Sequence, residues 1–125
     1  MKTVNTDKAP AAIGPYSQAI ISGGLVFTSG QIPVDPATGA VAGETIVEQA
    51  KQVMANLQVV LAAAGTTPER AVKTTCFLAD MADFAAFNEI YAQTFTGKPA
   101  RSCVAVRTLP KGVLCEVEVV AETEA

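Results

Sequence analysis

One helix in this chain declares both of its ends, and the other elements must be arranged around it. Thr45-Ile46-Val47-Glu48 is a capping box, in which the Thr45 hydroxyl and the Glu48 carboxylate each satisfy a backbone N–H at the helix start. Ile46, Ala50, Val53, Leu57, Val60 or Leu61 and Ala64 then recur at helical spacing, while Glu48, Lys51, Gln52 and Gln58 stand mostly off that stripe. Gly65 supplies the stop. A helix with one apolar face must bury it on another layer.

The flanking segments supply that layer. The first fifteen residues, ending in Gly14-Pro15, read as a loop or irregular arm. Residues 16–22 and 25–29 are extended segments joined by Gly23-Gly24, a hairpin signal. Residues 30–39, rich in Pro and Gly, form a shaped loop. Val72–Leu78 is a strand, and Asp80 or Asp83 caps a second helix with Phe84, Phe87, Tyr91 and Phe95 on one face, stopped at Gly97. Residues 101–107 and 113–121 are two more strands separated by Thr108–Gly112. The order β-β-loop-α-β-α-β-β predicts an α+β fold, a mixed sheet of about six strands with both helices on one face. The 125 residues, half of them hydrophobic, suit a single domain over 1–125 without linker or repeat.

Two helices cover only one sheet face. In the last strand Val113, Cys115, Val117 and Val119 alternate with Leu114, Glu116, Glu118 and Val120. In the strand before it, Arg101, Cys103, Ala105 and Arg107 alternate with Ser102, Val104 and Val106. The second face therefore mixes apolar and charged groups, which suits a subunit interface with polar sites.

Composition narrows the chemistry. The chain has no histidine, which removes Ser-His-Asp, Cys-His and other His-based proton transfer along with most catalytic zinc sites. Its net charge of −3 argues against general nucleic-acid binding. Cys76, Cys103 and Cys115 form no CxxC pair and sit in apolar runs, as buried reduced thiols do. The N-terminus lacks the apolar core of a signal peptide and no stretch is long enough to span a membrane, so a cytoplasmic protein is expected.

Positive charge gathers in residues 98–111, where Lys98, Arg101, Arg107 and Lys111 have no acid among them. Pro99 fixes the chain just before Arg101, whose planar fork suits a carboxylate. Glu116 and Glu118 share one side of an otherwise apolar strand, and a carboxylate in such surroundings tends toward a raised pKa. Glu118 reads as solvent-facing, whereas an antiparallel return through residues 108–112 brings Glu116 near Arg101. Tyr16, Ser29 and Asn88 are further polar candidates, although each has a plainer reading as a rim, turn or exposed helix residue. Cys103 reads as a small core residue.

Four segments together carry a resemblance: residues 9–18 (APAAIGPYSQ), 27–34 (FTSGQIPV), 72–78 (VKTTCFL) and 99–106 (PARSCVAV), the last followed by Leu109-Pro-Lys and Glu116-Val-Glu118. In this order they resemble the Rid family of reactive-intermediate deaminases, RidA subgroup, over essentially the whole chain. The resemblance implies a chorismate-mutase-like fold and a homotrimer whose sheets form a central barrel, with clefts between subunits. It implies hydrolysis of short 2-imino acids, 2-iminobutanoate and 2-iminopropanoate, to 2-oxo acids and ammonia, with no metal or organic cofactor. Carried onto this chain, Arg101 clamps the carboxylate and Glu116 activates water. Cys103 contributes through its backbone, Ser29 and Gly30 line the pocket, and Tyr16 and Asn88 stand near its rim. Two positions depart from the family pattern: the turn Thr96-Gly97-Lys98 is short, and Cys115 replaces an aliphatic residue. The alternatives are a non-catalytic binder of small carboxylates and an RNA-acting translation inhibitor.

Overall fold

A computed structural model describes all residues, 1–125. Its first strand, β1 (Lys2–Val4), lies inside the segment expected to be irregular. It pairs antiparallel with β2 (Ala19–Ser22), and only Val4 of its three residues is buried. A three-residue edge strand leaves no readable alternation, and its pairing partner is what makes it a strand. Gly23 and Gly24 take φ of 60° and 77°, the left-handed pair that a tight two-residue turn requires, and β2 returns directly into β3 (Leu25–Thr28). Tyr16 to Gln18, expected to be extended, precede the strand.

Helix α1 (Ile46–Ala63) starts with both halves of the capping box made, and Gly65 follows its end at φ 76°. Its stripe is buried throughout: Ile46, Ala50, Val53, Leu57, Val60 and Leu61. After β4 (Ala71–Leu78), Asp80 caps a short 3-10 turn by accepting from the Ala82 N–H at 2.8 Å. That turn runs into α2 (Phe84–Thr94) with no side-chain cap from Asp83. Strands β5 (Ala100–Ala105) and β6 (Cys115–Glu122) complete one six-stranded sheet in the order β1-β2-β3-β6-β4-β5.

This order corrects one expectation. β5 does not return into β6 as a hairpin: β4 lies between them, parallel to β5 and antiparallel to β6. The central β4–β6 ladder supplies the buried residues Thr74, Cys76, Leu78, Cys115, Val117, Val119 and Ala121. Both helices contribute to that one core, so the sheet has a covered face and an open one. Phe27 and Val104, both more than 40% exposed, stand on the open face with Phe77, Glu116 and Glu118, in the alternation read from the sequence.

Three buried amides that the apolar pattern did not reveal hold the loops in place. Gln18 donates to the Thr6 and Pro10 carbonyls and accepts from the Thr6 N–H, tying down the N-terminal arm. Gln49 accepts from the Leu114 N–H and donates to Gly43 O. Asn56 donates to the carbonyls of Ile32 and Val34 at 3.1 and 3.0 Å, clamping the 30–39 loop to α1. Asn56→Ala strips two loop carbonyls of their partner and is expected to cost about 1–3 kcal/mol. Urea unfolding checks this: the midpoint falls while the slope stays constant.

Candidate active site

The arginine of the basic window is held on the covered side of the sheet. Arg101 pairs with Thr74 in the β4–β5 ladder and shares that buried face with Cys103 and Cys76. Its guanidinium lies over the rings of Tyr91, 4.7 Å from the centroid, and Phe84, 5.5 Å away. Nη1 donates to Asn88 Oδ1 at 2.6 Å. The Tyr91 hydroxyl is itself fixed at 2.7 Å from Thr74 Oγ1. Together α2 and β4 fix the plane of the fork before any ligand arrives, and the remaining N–H donors are free for an anion. A cavity of about 380 Å³ opens here, lined by Asn88, Tyr91, Phe95, Lys98, Pro99 and Arg101 with no acid among its walls.

Glu116 sits two strands away on the other side. It pairs with Phe77 in β6 and projects from the open face into a second groove of about 380 Å³, with Tyr16, Ser29, Gly30, Ile32 and Pro110. Gly30 approaches closely: a Cβ there would stand 2.8 Å from Glu116 Cδ, so a side chain at this position would push the carboxylate out of its present place. Ser29 does not face the carboxylate with a free hydroxyl, since its Oγ donates to Ser17 O at 2.5 Å. A backbone bridge between Gln31 and Val117 fixes the distance between loop and strand. Partial burial pushes the Glu116 carboxyl above the usual range, and the like charge of Glu118 adds to the shift.

The residues singled out in the sequence thus fall into two groups. Tyr16, Ser29 and Gly30 gather around Glu116, and Asn88 gathers at Arg101. Within one chain the two groups do not meet, because Arg101 and Glu116 lie on opposite faces of strands that flank β4. Cys103 lines neither groove. It sits beside Cys76, with its thiol pushed up by burial and held back by Arg101, and Cys76 and Cys115 are both pushed up to about 12 by burial. Such thiols are poor nucleophiles. The Tyr91–Thr74 pair and the Phe84 ring that orient Arg101 were not picked out as site residues. The available signal was the aromatic face of α2, which also reads as plain core. No group of three or more His, Cys, Asp and Glu side chains is arranged to hold a metal ion, and no helix is long and apolar enough to cross a membrane.

These features define a small α+β protein with an oriented arginine in one pocket and a half-buried carboxylate in a separate groove. A family model described as endoribonuclease L-PSP matches residues 6–123. A RutC family protein of Synechocystis is 56% identical over 124 residues, covering 97% of this chain and 95% of the relative. A Salmonella typhimurium protein named 2-iminobutanoate/2-iminopropanoate deaminase is 51% identical over 124 residues, covering 96% of each. Among solved structures, RidA from an Antarctic Psychrobacter superposes with a TM-score of 0.93 at 41% identity, covering 98% of this chain and 99% of that one. The chain belongs to the endoribonuclease L-PSP family, and two of its solved neighbours are named as Rid proteins.

The raised Glu116 pKa has a testable consequence. If Glu116 must be ionised to act as a base, kcat/KM rises with pH along a limb displaced above the ordinary carboxylate range. Glu118→Gln removes the like charge, so the limb is expected to move to lower pH. A pH–rate profile of the two proteins checks the sign. The same raised pKa contributes stability at low pH that is lost as pH rises through the Glu116 titration.

Proposed function

We propose that the protein is a cytoplasmic imine deaminase, hydrolysing 2-iminobutanoate and 2-iminopropanoate to the 2-oxo acid and ammonia. It works without a metal or organic cofactor, in a site completed between two copies of the chain. The carrying observation is the pairing of a pre-oriented Arg101 fork with a half-buried Glu116 on opposite sheet faces. One chain cannot bring both to one small substrate. A second copy packed on the open face can, and a homotrimer whose three sheets close into a barrel, in the chorismate-mutase-like manner, gives every open face a partner. The 51% identity to a protein named for this reaction supports the same reading.

The chemistry follows from the residues. The substrate carboxylate takes two parallel hydrogen bonds from Arg101, which fixes C2. Glu116 accepts a proton from a water as its oxygen bonds to C2, and the C=N electron pair moves to nitrogen. Glu116 returns its proton to the amine of the resulting carbinolamine, and as the C–N bond breaks and C2=O forms, the hydroxyl proton passes back to the Glu116 carboxylate and ammonia leaves. A protonated imine is already a strong electrophile, so positioning and one carboxylate base suffice without histidine.

The test is to generate 2-iminobutanoate in situ with an amino-acid oxidase in the presence of semicarbazide, and to measure how much imine escapes trapping as the oxo acid. The protein is expected to cut trapping sharply. Arg101→Ala should lose about 2–4 kcal/mol of transition-state binding. Binding of 2-oxobutanoate without any effect on trapping would make the protein a carboxylate binder instead of an enzyme. The family description favours one other reading, RNA cleavage through the basic window. That reading requires ribonuclease activity in purified protein that disappears in Arg101→Ala.

A further inference from the structure

The short turn before β5 places a second cation in the arginine's cavity. Lys98 lines the same 380 Å³ space as Arg101, Asn88, Tyr91 and Phe95, and no acid lines it. Lys98 also holds a left-handed backbone, φ 53°, where a side chain is disfavoured and glycine fits without strain. The turn cannot relax easily around it. At Gly97 a Cβ would stand 2.9 Å from the Glu69 carbonyl oxygen, so that residue is packed hard against the 3-10 turn Pro68–Arg70. The Lys98 N–H donates back to Phe95 O at 3.4 Å. A lysine thus occupies a position whose backbone favours glycine, in a pocket to which its own chain contributes no acid.

A single carboxylate is saturated by the Arg101 fork, which uses both of its oxygens. The exposed Lys98 carries a separate point charge on a flexible stem, three residues along the chain and lining the same cavity, so its ammonium can reach a second anion on a ligand held by Arg101. Resting on the deaminase reading above, we propose that Lys98 is a specificity-determining residue that lets this site take 2-imino acids with a second carboxylate on the side chain. These are the imines that oxidation of acidic amino acids yields. Their hydrolysis follows the same balanced step: water adds at C2, the C–N bond breaks, and a dicarboxylic 2-oxo acid and ammonia are released.

The discriminating experiment measures binding of the two product classes, 2-oxoglutarate and 2-oxobutanoate, by calorimetry at low ionic strength. It compares wild type, Lys98→Gly and Lys98→Arg. Glycine suits φ 53°, so Lys98→Gly removes the charge without threatening the fold. The expected result is a loss of about three- to fivefold in 2-oxoglutarate affinity for Lys98→Gly, with 2-oxobutanoate affinity changed by less than about twofold. Lys98→Arg should retain the preference. An equal loss for both acids, or no loss for either, overturns the proposal. Failure of wild type to bind 2-oxoglutarate also overturns it, and the deaminase reading then stands or falls separately on 2-iminobutanoate turnover.

Discussion

The rest of the structure depends on a sheet that is covered on one face and open on the other. Period-two alternation in β6 puts Cys115, Val117 and Val119 into the core and Glu116 and Glu118 outside it. Both helices lie on the core side. The open face carries Phe27 and Val104 exposed beside a carboxylate with a raised pKa. A lone chain gains little from such a surface, and in the proposed assembly it becomes an apolar contact with the carboxylate at its edge.

The same alternation separates the two functional groups. Arg101 is in register with Thr74 and Val119 on the core side, and Glu116 lies an odd number of residues from Val119, so Arg101 points toward α2 and Glu116 points away from it. Each half is pre-built by its own surroundings. Asn88, Tyr91 and Phe84 orient the guanidinium, while Gly30 and the Gln31–Val117 bridge leave space for the carboxylate. Such preorganisation lowers the cost of binding, because little must be ordered when substrate arrives. On the proposed deaminase reading, the chemistry makes few demands on the protein. An activated imine needs an anchored carboxylate and a placed water, which fits a chain that has no histidine.

Much of the fold was legible because local rules dictated it. The Thr45–Glu48 box, the Gly23-Gly24 turn and the alternation of β6 each rest on neighbours close in sequence, and each appears as read. Strand order was not legible in the same way. The order β4-α2-β5 is a βαβ crossover that signals a parallel pair, but the short segment between β5 and β6 reads equally as a hairpin, and that expected β5–β6 hairpin was wrong. Strand β1 was missed because three residues carry no period. Arg101 and Glu116 could be nominated from charge and spacing alone. Their separation onto opposite faces could not, since it rests on the register that sets Arg101 beside Thr74 and Val119 and leaves Glu116 out of that phase.

The central claim is that Arg101 of one copy works with Glu116 of another. Complementation tests it most directly: Arg101→Ala and Glu116→Ala chains are purified separately, unfolded together, refolded as a mixture and assayed for imine hydrolysis. Each variant alone should be nearly inactive. In a randomly mixed ring, about a quarter of the sites receive an intact arginine from one chain and an intact glutamate from its neighbour, so roughly a quarter of wild-type activity should return. No recovery from a mixture shown by mass spectrometry to contain mixed oligomers would contradict the account.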